Sequence, residues 1–410
     1  MLHLSWTPVY CFAILTIIFV VSEYLSDKTK GYVSFLVFAT VFFAIGYWTN
    51  ILPKDLVQQT GITGILGILF VPLVVVNLGT IIDLNNLLKE WRTVIISLAG
   101  LIGVAIACFT IGTAVFGKVY AYSATPPIAG GIVAAIIVSD AANAFHRPEI
   151  AAFAMILIGV HNMIGIPLAT VCLKSDLKKK FLKGDFSSPA VTAASSEEKK
   201  SFHIPDVKVF KDVPKHLDTP TMNLAKLGIV AAIALFVANL TIIPGSKPIN
   251  YILAPTIAYL IFGLIFTKVN FLSKQSLGKA GSLGIMMLGL MTYAPTSFAQ
   301  LSPAKFVDMI VPIIGLPVIS LIGIAIFSIL AGKFLKYSPA VSLAIGATGL
   351  LGYPNTQLVA EGAVSSMDAT ADEKERALAY VLPKMIVGGF VSVTIASVIL
   401  ASIVAPIIFR

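Results

Sequence analysis

The sequence predicts an all-α polytopic membrane protein made of two inverted-topology repeats, each with five transmembrane helices plus one re-entrant or broken-helix segment. Three observations carry that prediction. The chain has 410 residues, of which 57% are hydrophobic and 12% charged, about half of the roughly 25% charge of a soluble domain; its mean hydropathy is +0.92. Apolar runs approach the about 20 residues that a helix needs to cross a hydrocarbon core of roughly 30 Å. Short strings of the first half return, in the same order, in the second. The composition excludes a soluble, disordered or nucleic-acid-binding chain, because the basic excess, 29 Lys+Arg against 20 Asp+Glu, is not gathered into one basic domain.

In chain order the apolar runs are 7–22, 31–48, 61–82, 93–117, 126–145 and 149–173, then 223–243, 250–267, 280–300, 307–332, 338–360 and 377–409. They are continuous rather than alternating, which favours helices over barrel strands. The first run lacks a basic leader and a cleavage site, so it is expected to be a retained span. Three units follow: a first membrane repeat (1–173), a linker (174–222) and a second, inverted membrane repeat (223–410). The linker opens with KSDLKKKFLKGDF and continues through SSPAVTAASSEEKK. Its Lys-rich start is predicted to be cytoplasmic.

The fifth run of each half departs from the others. PPIAGGIVAAIIVSDAANAF (126–145) and SPAVSLAIGATGLLGYPNTQLVA (338–360) begin with Pro, are rich in Gly and Ala, and end in polar residues. If both crossed the bilayer, Lys28, Lys30, Lys89, Arg92, Lys374 and Arg376 would face outward, against the basic excess of cytoplasmic loops. If both dip in and return, these residues lie inside, while Lys54, Lys118, Arg147, Lys247, Lys305 and Arg410 lie outside. Ten spans and two re-entrant segments are therefore predicted, with both chain ends extracytoplasmic.

LIGVAI (101–106) and LIGIAI (321–326) differ at one position and lie 220 residues apart, and Gly64 and Ile65 match Gly284 and Ile285 at the same spacing. With a loop taken as eight residues shorter, Pro127 aligns with Pro339 and Asn143 with Asn355. Five spans per half is an odd number, so the second copy must insert upside down, the inverted repeat of secondary transporters.

Backbone that leaves helical geometry at membrane depth has N–H and C=O groups for which lipid offers no partner. It persists only where protein, water or a ligand covers it. Two such segments entering from opposite faces would bring their tips together near the midplane, with half-helix N-termini facing anions and loose carbonyls open to a cation. The candidate substrate-binding residues are Ser139 and Asn143 on one side and Tyr353, Asn355, Thr356 and Gln357 on the other, joined by Lys384. Asp140 and Thr348 are the ion-coupling candidates.

Asp140 ends a long apolar stretch, where a carboxylate is costly unless paired, hydrated or ion-bound. It reads either as a ligand for a coupling Na+ or a proton carrier, or as a helix-ending carboxylate near the outer interface satisfied by Asn143 or water. Lys384, in YVLPKMIVGGF, follows Pro383, which frees a backbone carbonyl. Its ammonium reads either as the partner of a substrate carboxylate or as a lysine snorkelling to the cytoplasmic interface. Glu361 raises the same question, against a solvated loop position. His161 and Asn162 form a polar pair at helix depth that interhelical hydrogen bonding alone would explain. Cys11, Cys108 and Cys172 are well separated, and the five His residues show no zinc-ligand spacing. The sequence has no phosphate-binding loop and no nucleophile elbow, so no cofactor and no enzymatic activity is expected.

The re-entrant segments resemble those of the glutamate:sodium symporter family, bacterial secondary transporters with two inverted halves joined by a cytoplasmic linker. The likeness is carried by SPAVSLAIGATGLLGYPNTQLVAEGAV and RALAYVLPKMIVGGFV, with Gly346, Gly349, Gly352, Pro354 and Pro383 at matching positions, and by PPIAGGIVAAIIVSDAANAF and GIPLA (165–169) in the first half. There are two departures. The family's first re-entrant segment has a Gly-Gly-His-Gly string where this chain has SDAAN (139–143), and Lys384 stands where an apolar residue is expected. The resemblance implies a multi-pass protein of the bacterial cell (inner) membrane that couples Na+ to transport of a small carboxylate, an amino acid such as glutamate or a di- or tricarboxylate. One bundle would move against the other in a rocking or elevator-like motion. Solute, Na+ and the lipid bilayer are then its partners, with no nucleic acid, and a homodimer is left open. The competing reading is a cation/proton antiporter with Asp140 as the proton carrier.

Overall fold

The computed structural model describes residues 6–29, 33, 35–82, 84–186, 209–214, 216–243, 251–299, 301–352 and 355–409. Lys30, Lys247, Arg410, Tyr353, Pro354 and the SSPAVTAASSEEKK part of the linker lie outside the described residues. In the first half the main helices are α1 (Pro8–Lys28), α2 (Phe35–Trp48), α3 (Ile68–Ile81), α4 (Trp91–Phe116), α5 (Lys118–Ala129), α6 (Ile132–Ala144) and α7 (Pro148–Leu182). In the second they are α8 (Pro220–Asn239), α9 (Pro255–Lys268), α10 (Leu283–Met291), α11 (Tyr293–Phe298), α12 (Pro303–Phe334), α13 (Pro339–Leu350), α14 (Asn355–Ser365) and α15 (Ala371–Ile407). Helices α1, α4, α7, α8, α12 and α15 are each long and apolar enough to cross a membrane. The chain is an all-α, multi-pass membrane protein.

Helix α12 shows why water is not its solvent. Val307, Val311, Ile314, Val318, Ile322 and Ile326 are all exposed, at a spacing of three or four residues, so one whole face of the helix is apolar and outward. Some expected spans are shorter than their apolar runs. Helix α9 has 14 residues, about 21 Å at about 1.5 Å per residue, because Pro255 sets its first turn. The run 280–300 splits into α10 and α11. Pro295 has no N–H for the Met291 carbonyl, and the Thr292 hydroxyl donates to Gly289 O at 2.6 Å.

Polar contacts sort the helix ends into two faces. At the face that carries the linker, Arg376 Nε donates to Phe186 O at 2.7 Å and Lys374 Nζ to Ser365 O at 3.2 Å. At the opposite face Arg147 and Glu149 pair at 2.5 Å, Lys305 stands 3.7 Å from the same carboxylate, and Trp48 Nε1 donates to Leu301 O at 2.8 Å.

The two halves meet through equivalent residues. Helices α4 and α12 cross at Gly103 and Gly323, the glycines of LIGVAI and LIGIAI, where a Cβ on either would clash with the other's carbonyl oxygen. The spacing of 220 then continues without the expected eight-residue deletion, because Ala129 faces Gly349. Pro127 and Pro339 are therefore not equivalent. Pro339 opens α13, while Pro127 lies in the last turns of α5. Nor are the two asparagines equivalent, since Asn143 lies near the end of α6 and Asn355 begins α14. Proline suits the first turn of a helix and also the approach to its break, so a shared proline does not fix the register.

Candidate functional site

Helices α5 and α6 form a hairpin that returns to the face from which it enters. Lys118 and Val119 at its start line one cavity of about 320 Å³ with Phe145 and Arg147 at its end, and Val119 and Tyr120 pack with Ala142 and Ile150. The turn between the arms has a local cause. Pro126 and Pro127 leave the carbonyls of Tyr122 and Ser123 without a helical N–H partner, and Gly130 and Gly131 then take φ of +122° and +93°, which a side chain would oppose.

Helices α13 and α14 form the inverted counterpart. Ser338 caps α13, accepting from Val341 N at 3.2 Å, and donates to Asp176 near the linker-side end of α7. Ser365 at the end of α14 accepts from Lys374, so both ends of this hairpin lie at the linker face. Its turn includes Gly352, with φ of +66°.

The hairpins meet at their turns. A Cβ on Gly130 would stand 2.7 Å from Gly349 O, and one on Gly349 would stand 3.1 Å from Ala129 O. Both turns rest on crossing helices. Gly131 lies under Val393 of α15, where a Cβ would be 2.7 Å from Val393 O, and Leu350 lies against Gly165 of α7, where a Cβ would be 2.8 Å from Leu350 Cβ. At Val391–Ala396 helix α15 widens to a π-helical turn, a local departure often found at functional sites.

Several polar groups gather here. Asn355 Nδ2 donates to Leu351 O at 3.1 Å and to Asn162 Oδ1 at 3.4 Å. Thr356 is buried and its Oγ1 has no hydrogen-bond partner within the protein. The buried Thr348 hydroxyl donates to Ile345 O at 2.6 Å. Ser97 and Ser392 Oγ lie 2.6 Å apart and each 2.9 Å from Gly388 O. One hydroxyl thus donates to that carbonyl and the other to its neighbour. His161, beside Asn162, is buried with Nδ1 unpartnered.

The predicted residues divide. Asn355, Thr356 and Thr348 stand at or next to the second turn. Ser139, Asp140 and Asn143 do not stand at the first turn. They lie on the returning arm α6, roughly 12 to 18 Å beyond Gly131 at about 1.5 Å per residue. The segment 126–145 is not itself the hairpin but the end of one arm, the turn and the other arm, so its polar end is its mouth. Ser139 is buried with Oγ unpartnered. Asp140 is exposed, and its Oδ2 accepts from Tyr293 OH at 3.4 Å; Asn143 is exposed. Gln357 Nε2 donates to Glu361 Oε1 at 2.8 Å. Lys384 Nζ donates to Tyr380 O at 2.7 Å and lies 4.2 Å from the Tyr380 ring, directed toward the linker face. Tyr353 lies outside the described residues. Asn162 stands out in the sequence with His161 as a polar pair that interhelical hydrogen bonding would explain, and it does bond to Asn355; Ser97 and Ser392 do not stand out, since a serine inside an apolar run carries no signal of its own.

A comparison of the chain with protein-family models and with curated proteins found no match.

Proposed function

We propose that the chain is a secondary active transporter that couples Na+ to the movement of a small anionic solute, an amino acid such as glutamate or a di- or tricarboxylate, bound between the hairpin turns. The observation that supports this reading is the contact of two oppositely inserted, broken-helix hairpins at Gly130 and Gly349. Backbone that has left helical geometry in a bilayer requires partners that lipid cannot supply. Helix α6 starts at Ile132, directly after Gly130 and Gly131, and the first-turn N–H groups of a helix that starts at such a turn suit a carboxylate. Asn162, Asn355 and Thr356 add polar groups of the kind that fix the orientation of a small solute. The likeness to the glutamate:sodium symporter family points the same way. With the Lys-rich start of the linker cytoplasmic, both chain ends are extracytoplasmic.

Proteoliposomes with an inward Na+ gradient test the proposal. Uptake of a labelled carboxylate that requires Na+ and is lost in Asn355→Ala supports it; no uptake of any small carboxylate with Na+ present overturns it. A cation/proton antiporter is the second reading, favoured by the contact of Asp140 with Tyr293 across the two halves. It requires a lumenal pH change driven by Na+ alone, abolished in Asp140→Asn.

A further inference from the structure

Interhelical hydrogen bonding accounts for Asn162 through Asn355, but it does not account for His161. That residue is 3% exposed, and its Nδ1 has no hydrogen-bond partner among the described residues. A polar atom withdrawn from water without a partner is costly. The place of His161 on α7 is fixed by its neighbours along one face. Ala154, seven residues earlier, packs with Val138 of α6 and Val404 of α15. Gly165, four residues later, lies against the second turn, where a Cβ would stand 2.8 Å from Leu350 Cβ. Residues at these spacings share one face of a helix. His161 therefore lies between the returning arm of the first hairpin and the turn of the second.

The sequence around it is free of formal charge. Segments 119–139 and 337–360 contain the two turns, and 150–173 and 385–409 are the parts of α7 and α15 that cross them; none of the four has an Asp, Glu, Lys or Arg. His161 is the single residue in these segments that can bear a positive charge. Lys384, just before the last of them, donates to Tyr380 O at 2.7 Å, toward the linker face. A carboxylate at this depth is costly without donors or a counter-charge. We propose that His161 is a solute-binding residue, whose imidazole N–H holds a carboxylate oxygen of the carried anion between the turns. An imidazole always presents an N–H donor, on one ring nitrogen or the other. Thr356, buried with Oγ1 unpartnered, supplies a neutral donor from the second hairpin. The inference rests on the transport reading above and adds to it a side chain that selects for a carboxylate.

The test combines Na+-driven uptake into proteoliposomes with thermal unfolding of the full chain in detergent, using labelled L-glutamate, L-malate and citrate as probes. His161→Leu and His161→Phe keep the apolar bulk and remove the donor, His161→Gln restores an N–H, and His216→Leu, exposed ahead of α8, is the control. Leucine or phenylalanine raises the half-saturating concentration of the transported probe about tenfold or more. Glutamine recovers most of that loss, and the control shows none. Unfolding separates this role from packing. A buried nitrogen without a partner contributes nothing that leucine gives up, so His161→Leu unfolds at or above the midpoint of the unaltered chain. The rise in midpoint that the probe causes with Na+ is diminished. An unchanged half-saturating concentration in His161→Leu or His161→Phe overturns the inference and leaves the transport reading standing. Failure of both variants to fold assigns His161 to packing and overturns it as well. No uptake of any probe by the unaltered chain removes the transport reading and this inference with it.

Discussion

Gly130 and Gly349 hold the two hairpins together with no room for a side chain: a Cβ on Gly130 would stand 2.7 Å from Gly349 O and 2.7 Å from Val393 Cγ2. Gly130 also has φ of +122°. Gly130→Val therefore combines backbone strain of about 1–3 kcal/mol with a steric conflict at the contact between the turns. The expected result is a lowered thermal midpoint and loss of Na+-dependent uptake. Gly61→Ala is the matched comparison, because Gly61 has φ of +75° but nothing within 4 Å of a Cβ. It should lower the midpoint slightly and leave uptake unchanged. Normal transport by Gly130→Val would separate the turns from the site.

The crossing of α4 and α12 gives a second prediction. Gly103 and Gly323 each exclude a Cβ from the other's carbonyl, so Gly103→Ala or Gly323→Ala alone must push the helices apart, at about 1–3 kcal/mol of overpacking. Once they are apart, the second methyl adds less. Thermal unfolding of Gly103→Ala/Gly323→Ala should show a loss smaller than the sum of the single losses. Full additivity would mean that the residues do not share one contact.

The same pair of glycines shows what could be read in advance. LIGVAI and LIGIAI place Gly103 and Gly323 at one spacing, and a close crossing of equivalent helices accounts for it. Apolar runs and basic residues likewise anticipate the helices and the returning path of 338–360, whereas the first hairpin begins at Lys118, and 126–145 holds only the end of its entering arm, its turn and its returning arm. The sequence did not place the turns. Asp140 and Asn143 stand out because they are polar after an apolar stretch, but that pattern also marks a helix leaving the membrane, which is the place of α6's end. Gly130 and Gly131 form the turn because of backbone freedom, and a glycine pair carries no sign of how deep it lies. Asn162 became part of the site only through Asn355, a partner 193 residues away.

That pair yields the third prediction. Asn162 and Asn355 join α7 to the second turn by one hydrogen bond of 3.4 Å, worth about 0.6–2 kcal/mol within a membrane protein. Asn162→Ala and Asn355→Ala should each cost little stability, yet raise the solute concentration for half-maximal uptake at least tenfold, with the double variant little worse than either. Asn143→Ala, exposed at the far end of α6, should leave that concentration within about twofold if each residue acts only where it stands. Concentration-dependent uptake by the four variants provides the check, and the reverse ranking would return the site to the mouth of the first hairpin.

Lys384 gives the last prediction. A side chain on a helix leans toward its N-terminus, which for α15 is the linker face, and the Lys384 ammonium follows that direction to Tyr380 O at 2.7 Å and to within 4.2 Å of the Tyr380 ring. Lys180 reaches the same ring at 4.8 Å, and Phe186 of the linker start lies 6.1 Å from it. The amine thus belongs to an aromatic and cationic cluster at the base of the second hairpin. Lys384→Met should remove a cation–π contact of about 0.5–2 kcal/mol, lowering the thermal midpoint by a few degrees, while the half-saturating concentration of an anionic solute stays within about twofold if the ammonium does not face it. Thermal unfolding and uptake kinetics of the one variant decide between the two roles: a tenfold loss of affinity at unchanged maximal rate would put the ammonium in contact with the solute during transport.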